Sequence, residues 1–422
     1  MIASRPLRRP SPPAPPMNTS VAPAASLPVH ARVPGHRLLH SPGPTPIPEP
    51  VLAAMQRQSM DLVDPRLDAI IEACETGLLT LLDAPADART YLYAANGHGA
   101  WEAVITNLVA PGQAVLIPGT GHFSESWAIQ AEAMGCTVVR IPWRQGLPID
   151  PQAVEDALRA DRDGTLAAVF VVHTDTAGGV TSDLAAIRAA IDASGHPALM
   201  VVDVVASLAA DPYSMAGIGA DVTIGASQKG LMLPAGLSFT TVGERADAVG
   251  QANPTPRFYW DWRRRKHAVG YRKFCGTPPQ QLLMGLEASL ALLRREGLAT
   301  VVARHRRLAG AVHAAVAAWH EGGALDFFCT VPDARSVSVT TVATRDGVDP
   351  DAIRAVARER FQVGIAGGLG PLAGKAFRIG HLGDQNEATI LGCVAGVEAA
   401  MRSLDIPAGD GVEAALAFLV RG

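Results

Sequence analysis

Short apolar runs alternate with stretches of helical periodicity from about residue 88 onward. Runs such as AAVFVVH and PALMVVDVV are apolar at nearly every position, which is typical of strands buried on both faces of a sheet. The predicted strands span residues 90–94, 114–118, 137–142, 167–173, 198–203, 221–225 and 237–242, and the predicted helices span 99–108, 123–134, 151–160 and 184–193. This alternation predicts an α/β fold with an open, mostly parallel sheet.

The pattern changes after about residue 275. Helices are predicted at residues 280–295, 299–319, 349–360 and 387–404, with strands at 336–342 and 376–380. Long helices beside few strands indicate a smaller α+β domain. We therefore divide the chain into an extension (1–35), an N-terminal segment with the large domain (36–278) and a small C-terminal domain (279–422).

The first 35 residues are rich in Pro, Ala, Ser and Arg and contain no acidic residue. They lack the continuous apolar segment of a secretory signal, and their prolines would break an amphipathic targeting helix. This composition predicts a disordered extension. The sequence leaves open whether translation starts at Met1 or at Met17.

Composition and charge narrow the possible partners. The 422 residues are 48% hydrophobic, enough for a large buried core and for more than one domain. A net charge of −4 gives no global field that would attract nucleic acid or an anionic membrane, and the basic run at 263–266 is typical of a solvated loop. No apolar run approaches the roughly 20 residues that span a bilayer. We expect neither a nucleic-acid nor a membrane partner.

The five cysteines are widely spaced and form no CxxC or Cys/His pattern. A disulfide framework is therefore not expected, and reduced thiols favour a cytoplasmic protein. We also predict no metal ligand in the chain.

Two polar residues follow predicted strands, where open α/β sheets bind ligands. Asp203 ends the run PALMVVD, and Lys229 follows the strand at 221–225 within IGASQKG. Burial lowers the pKa of a lysine and makes its amine the nucleophile that a Schiff base requires. A carboxylate can keep the pyridine nitrogen of pyridoxal 5′-phosphate (PLP) protonated. Asp203 alone could equally cap a helix, but the pair predicts PLP as the cofactor.

Two further features fit such a site. Asn96, Gly97 and His98 precede the helix predicted from residue 99, and a glycine-rich turn at a helix N-terminus offers backbone N–H groups to a phosphate. This motif is common, but it is not GxGxxG, which disfavours dinucleotide binding. Arg378 stands between two apolar residues of a predicted strand. It could bind a substrate carboxylate or form a surface ion pair.

Several longer motifs carry a resemblance to a known family. GASQKGLMLPAGLSF, FYWDW, AGKAFRIGHLGD and GDGVEAALAFL together resemble the class V aminotransferases, and within them the serine–glyoxylate and alanine–glyoxylate enzymes. SPGPTPIPEPVLAAM resembles the family's N-terminal segment, which runs into the active site. The likeness covers nearly the whole chain from about residue 38. It implies the aspartate-aminotransferase fold (fold type I), PLP, and a homodimer or a tetramer of dimers with shared active sites.

The resemblance implies a role for each candidate residue. Lys229 would hold the cofactor as a Schiff base and move a proton, Asp203 would hold the pyridine nitrogen, and Arg378 would clamp the substrate carboxylate. Phe123 would stack on the cofactor ring, and Thr176 would hydrogen-bond the cofactor's O3′. The phosphate would be bound by Asn96, Gly97, His98 and Gln228, with Thr277 arriving from the neighbouring subunit.

The chain also departs from the family's pattern. Where the family commonly has HNETSTGV, this chain has HTDTAGGV, with Thr174 and Asp175 in place of Asn and Glu. Related pyridoxamine-using aminotransferases also carry an Asp-Thr pair here. His98 stands where the serine–glyoxylate group often has Thr, and Gly276 replaces a Tyr. These departures leave the prediction of PLP chemistry intact and bear on the choice of substrate.

The expected function is transfer of the amino group of a small L-amino acid, serine or alanine, to the 2-oxo acid glyoxylate or pyruvate. The alternative is another class V enzyme, such as a pyridoxamine–pyruvate aminotransferase or a PLP-dependent lyase. A cysteine desulfurase is disfavoured, because VGIAGGLGPLAGKAF, just before Arg378, contains no cysteine. A regulator would need a DNA-binding module, which the Pro-rich extension cannot form.

Overall fold

The computed structural model of the chain describes residues 35–421. The predicted disordered extension, residues 1–35, lies outside this range apart from Gly35. The strands are β1 Leu38–His40, β2 Arg89–Tyr93, β3 Ala114–Pro118, β4 Thr137–Ile141, β5 Leu166–Val172, β6 Thr174–Asp175, β7 Val180–Thr181, β8 Leu199–Asp203, β9 Val222–Ala226, β10 Ser238–Val242, β11 Leu325–Phe327, β12 Val339–Thr344, β13 Val363–Gly367 and β14 Ala376–Gly380.

The helices connect these strands and cover them. They are α1 Glu49–Met55, α2 Pro65–Leu81, α3 Gly97–Leu108, α4 His122–Ala133, α5 Pro151–Ala160, α6 Leu184–Ser194, α7 Met215–Ile218, α8 Glu244–Ala252, α9 Trp262–Lys266, α10 Gln280–Glu296, α11 Leu298–His320, α12 Pro350–Arg360, α13 Glu387–Ser403 and α14 Gly411–Arg421. Within residues 35–421 no helix is both long and apolar enough to cross a membrane.

The larger sheet has seven strands in the order β2-β10-β9-β8-β5-β3-β4. Strand β10 pairs antiparallel with β2 and β9, and the other pairs are parallel. The predicted α/β fold with a mostly parallel sheet is therefore confirmed. The strand at 114–118 and the helix at 151–160 have the predicted bounds.

Both faces of this sheet are buried, as the continuous apolar runs predict. Along β5, Val169 and Val171 belong to a core shared with α2, α5, α6 and α10. Phe170 and Val172 point to the opposite face and join a core with α3 and α4. Because successive side chains of a strand alternate between faces, one apolar run supplies both cores.

The smaller sheet has the order β1-β13-β14-β12-β11 and packs against α11, α12, α13 and α14. Its edge strand β1 comes from the N-terminal segment and pairs parallel with β13. Residues 37–421 belong to one compact unit, so the division at residue 278 stays a prediction.

One predicted strand is displaced. The strand expected at 336–342 begins at Val339 and runs to Thr344. Ser336 forms a local turn instead, because its Oγ accepts from the Ser338 backbone N–H (3.1 Å) and lies 2.9 Å from Ser338 Oγ. Side-chain bonds of this kind compete with strand pairing.

Candidate active site

A cavity of about 320 Å³ lies at the carboxyl ends of the central strands of the larger sheet. Five chain segments form its wall: the start of α3, the start of α4, the residues after β5, those after β8, and those after β9. Gly43 of the N-terminal segment completes it. The lining residues are Gly43, Asn96, Gly97, His98, Trp101, Phe123, Val172, Thr174, Thr176, Asp203, Val205, Ala206, Gln228, Lys229 and Ala235.

Lys229 lies three residues beyond the end of β9, and its side chain is buried. Its amine donates a hydrogen bond to the carbonyl of Pro42, and Thr45 Oγ1 donates to the carbonyl of Lys229 (3.0 Å). The N-terminal segment therefore contacts this lysine, as the resemblance implies. Burial and the nearby Arg378 guanidinium lower the pKa of Lys229 to about 8, although Asp203 and Asp175 oppose the shift.

Asp203 is the last residue of β8 and is 5% exposed. Its Oδ2 accepts from the indole N–H of Trp101 (2.6 Å), and its Oδ1 accepts from the Val205 backbone N–H (2.7 Å). Burial raises the pKa of Asp203 to about 6, against the lowering effect of these two hydrogen bonds and of Lys229.

The start of α3 lines the cavity, and the backbone N–H groups of Gly97 and His98 have no acceptor within residues 35–421. The helix begins at Gly97, two residues before the prediction, because Asn96 is its N-cap and accepts from the Gly99 N–H (3.3 Å). The N–H groups of Gly97 and His98 lie in the first turn, where a helix supplies no acceptor. Gln228 lines the same cavity, and its Oε1 has no partner within residues 35–421.

Asp175 does not line the cavity, but its hydrogen bonds connect two segments of the cavity wall. This carboxylate is fully buried. It accepts from the backbone N–H of Phe123 (2.9 Å), from Thr120 Oγ1 (3.2 Å) and from the backbone N–H of Ala177 (2.9 Å). The start of α4, which carries Phe123, is thereby fixed to the β6–β7 hairpin, which carries Thr176. Burial raises the pKa of Asp175, and its hydrogen bonds oppose that shift.

Arg378 borders the cavity from the smaller sheet but does not line it. It lies on β14 and is 6% exposed. Its Nε donates to the Gly367 carbonyl (2.7 Å) and its Nη1 to the Thr176 carbonyl (2.8 Å). Burial lowers the pKa of Arg378 to about 10, although the nearby Asp175 carboxylate opposes the shift. The guanidinium remains the charged form near neutral pH.

The structure thus gathers most of the predicted residues around one cavity. Arg378 is joined to it through Thr176. Thr277 is exposed and is not among the lining residues of this chain, so its implied contact with a neighbouring subunit stays a prediction.

Sequence reasoning missed Trp101 and the anchoring position of Asp175. Trp101 lies one helical turn beyond Gly97, so its spacing from the predicted phosphate loop was an available signal. Asp175 and Thr176 both follow the buried strand β5. A carboxylate at the carboxyl end of such a strand also indicates a place in the binding site.

The residues around the cavity fit PLP. The first-turn N–H groups of α3 and the Gln228 amide suit a phosphate, and the buried Asp203 carboxylate suits a protonated pyridine nitrogen. Lys229 offers a buried amine of lowered pKa to an aldehyde. The Phe123 ring and the Thr176 side chain line the same cavity.

Comparison with known proteins gives consistent results. The family model for aminotransferase class-V matches residues 37–372. The chain is 39% identical to the serine–glyoxylate aminotransferase of Methylorubrum extorquens, covering 92% of this chain and 97% of that protein. It is 37% identical to the L-aspartate–glyoxylate aminotransferase of Paracoccus denitrificans, covering 89% and 94%. The crystal structure of the pyridoxamine–pyruvate aminotransferase of Mesorhizobium loti superposes with a TM-score of 0.84 at 28% identity, covering 94% of this chain and 99% of that one.

Proposed function

This chain belongs to the class V aminotransferase family and is a PLP-dependent aminotransferase, and we propose that it moves the amino group of a small L-amino acid, serine or alanine, to glyoxylate or pyruvate. We propose serine and glyoxylate as the preferred pair. The observation that carries this choice is the 39% identity to a serine–glyoxylate aminotransferase over 92% of the chain. When bound, PLP supplies an electron sink for the carbon that loses its proton.

In this proposal the residues at the strand ends do the chemical work. Lys229 binds the cofactor aldehyde and, as a neutral amine, takes the proton from the substrate Cα. A pKa lowered to about 8 leaves part of the amine neutral near physiological pH. Asp203 keeps the pyridine nitrogen protonated, and Phe123 and Thr176 contact the ring. The α3 N-terminus at Asn96, Gly97 and His98, together with Gln228, holds the phosphate.

Arg378 binds the substrate carboxylate in this proposal. Two of its N–H donors bind backbone carbonyls, which fixes the guanidinium plane. Nη2 has no partner within residues 35–421 and can bind a ligand. Amino donor and oxo-acid acceptor each carry a carboxylate at the same position, so both half-reactions use this clamp.

The remaining wall of the cavity supports a small substrate side chain. Among the lining residues Lys229 is the only lysine or arginine. A second substrate carboxylate would therefore be desolvated without a cationic partner, which is strongly unfavourable. This argument favours serine or alanine over aspartate.

A pyridoxamine–pyruvate aminotransferase is the second candidate. The M. loti enzyme with that activity has a TM-score of 0.84 to this chain. The Asp175-Thr176 pair beside the cavity also agrees with the pattern of pyridoxamine-using relatives noted above.

Steady-state rates with a panel of donors test the proposal. Serine, alanine, glycine, aspartate, glutamate and pyridoxamine are each paired with glyoxylate and with pyruvate. We expect serine with glyoxylate to give the highest kcat/KM. Aspartate, glutamate or pyridoxamine as the best donor would contradict the substrate proposal and leave the PLP site standing.

The same proposal includes shared active sites in a homodimer or tetramer of dimers in the cytoplasm. Thr277 is exposed, and the segment before it exposes Phe258 (61%) and Val269 (70%). Aromatic side chains are enriched at protein interfaces, so an exposed Phe258 agrees with a subunit contact near Thr277. The five free cysteines agree with a reducing compartment. Light scattering is expected to give a molar mass at least twice the 44.0 kDa of one chain; a monomer would contradict it.

A further inference from the structure

We infer that Trp101 is a positioning residue for Asp203, and that its indole N–H, rather than its aromatic surface, is what the reaction requires. This inference rests on the proposed function, because it concerns the carboxylate that pairs with the cofactor nitrogen.

The geometry gives Asp203 one protein donor for each oxygen. Trp101 Nε1 lies 2.6 Å from Oδ2, and the Val205 nitrogen lies 2.7 Å from Oδ1. A carboxylate can accept about four hydrogen bonds, so capacity remains for the pyridine N–H. Trp101 is 2% exposed, and its ring is held by the fold. Its donor therefore fixes the orientation of the carboxylate plane.

The Trp101 N–H also affects the charge of Asp203. A buried carboxylate is costly to ionise, and donors to its charged form offset that cost. Removing the indole N–H leaves a single backbone donor, so Asp203 would bind a proton more readily. A neutral Asp203 cannot hold the pyridine nitrogen in its protonated form through charge. The other titratable groups near Asp203 are Lys229 and Asp175, and His98 contacts the Trp101 ring at 4.5 Å between centroids.

The aromatic surroundings provide a matched control. Trp101 stacks on Trp127 at 5.1 Å between centroids, and Trp127 stacks on Phe170 at 4.5 Å. Trp127 is fully buried, yet its Nε1 has no partner within residues 35–421. The two tryptophans thus share one stack, and the indole of Trp101 donates to the reacting region while that of Trp127 does not.

The experiment compares Trp101→Phe with Trp127→Phe. Both variants keep an aromatic ring, and both should lose similar thermal stability. In W101F we expect about 10- to 100-fold weaker PLP binding by the apoprotein and a similar loss in kcat, the range of one lost hydrogen bond to a charged group. The acid limb of its kcat profile should move to higher pH. W127F should stay within about threefold of the wild type in both quantities, with an unchanged pH profile.

A double-mutant cycle with Asp203→Asn supplies the second readout. If Trp101 acts through Asp203, W101F should cost little further kcat in the D203N background. Full additivity would overturn the inference, as would equal effects of W101F and W127F on PLP affinity and pH profile. If W101F does not fold, Trp101→Leu and Trp127→Leu take the place of the two phenylalanine variants, because leucine also lacks a hydrogen-bond donor. Failure of the wild type itself to bind PLP would instead contradict the proposed function.

Discussion

Two regions of this molecule bury titratable side chains, and they do so with opposite results. The first is the cavity at the strand ends of the larger sheet, with Asp203 and Lys229 in its wall. The second, the histidine group, lies in and beside the smaller sheet and comprises His40, His305 and His381, which are buried, and His313, which is half-buried. Burial dominates the pKa shifts in both regions.

The charges around the cavity have mixed sign. Desolvation raises the pKa of Asp203 to about 6 and lowers that of Lys229 to about 8, and each group limits the shift of the other. The two pKa values therefore lie on either side of neutrality. In the proposed roles, Lys229 is partly neutral near neutral pH, as proton transfer requires, and Asp203 is mostly ionised, as pairing with a protonated pyridine nitrogen requires.

The histidine group has little such compensation: a carboxylate, Glu296, opposes the pKa shift of His305, and none opposes those of His40, His313 and His381 within residues 35–421. Burial lowers the pKa of His40, His305 and His313 to about 4, and that of His381 further. The Gly383 N–H donates to His305 Nε2 (3.0 Å), so His305 is held as a neutral ring whose Nδ1 lies 2.7 Å from the Val301 carbonyl. Burial with little opposing charge thus keeps these rings neutral, whereas burial beside opposite charge keeps the pKa values of Asp203 and Lys229 within about one unit of neutrality.

The largest effect is expected at Lys229. Lys229→Ala should lower kcat by at least about 10⁴-fold, the upper range for a positioned proton-transfer group, and remove the visible absorbance of lysine-bound cofactor. Lys375→Ala is the matched control, because Lys375 is exposed in the segment just before β14. Turnover comparable to that of the wild type in the Lys229 variant would show that the reaction does not require this lysine.

The next effect is expected at Asp203. Asp203→Asn should lower kcat by roughly 10³-fold, because an amide cannot hold the pyridine nitrogen protonated through its charge. The variant should fold and bind PLP weakly, which unfolding curves and a PLP titration would measure. A loss of only a few-fold would mean that Asp203 belongs with the structural groups rather than the reactive ones.

Arg378→Ala should have a comparable or smaller effect. Loss of a charge-assisted contact in a partly desolvated site should cost about 2–4 kcal/mol, or roughly 30- to 1000-fold in kcat/KM. The loss should appear with both the amino acid and the oxo acid, measured in single-turnover half-reactions. An effect on one half-reaction alone would contradict a shared carboxylate clamp.

The smallest effect on activity is expected in the histidine group. The pKa of His313 in the folded protein is lowered to about 4, below the ordinary 6.5, so the unfolded chain binds more protons between these values. Stability is therefore complete above about pH 6.5 and falls as the pH drops towards 4. His313→Phe should flatten this fall by up to about 1.4 kcal/mol per pH unit, while kcat near neutral pH stays within about twofold.

Urea unfolding at several pH values would measure that slope. Exposed His267→Gln is the control and should leave the slope unchanged. A slope in His313→Phe equal to that of the wild type would mean that this ring is not held neutral by burial.

The larger sheet could be predicted from the sequence because strands buried on both faces are apolar at nearly every position. Sequence reasoning gave the bounds of β3, α5 and β14 correctly, and it assigned a cofactor contact to eight of the residues that line the cavity. Strand β13, with the sequence VGIAG, was missed because two glycines and short length weaken any strand pattern. Its partner β1 is only three residues long.

Contacts across the fold were beyond the reach of pattern reasoning. The bond from Trp101 to Asp203 joins residues 102 positions apart, and that from Arg378 to Thr176 joins residues 202 apart. Neither periodicity nor local spacing encodes such a contact. The anchoring of Phe123 by Asp175 arises in the same way, from two loops that meet only when the sheet is assembled.

The attachment site of the cofactor is the central claim, and it can be measured directly. The chain contains four lysines, Lys229, Lys266, Lys273 and Lys375, so the alternatives are few. Borohydride reduction of the PLP-loaded protein makes the lysine–cofactor bond permanent, and peptide mass spectrometry then identifies the modified residue. We predict one pyridoxyl phosphate per chain, on Lys229, with no labelling of the Lys229→Ala variant. Modification of another lysine, or stable PLP binding with no lysine modified, would contradict the account.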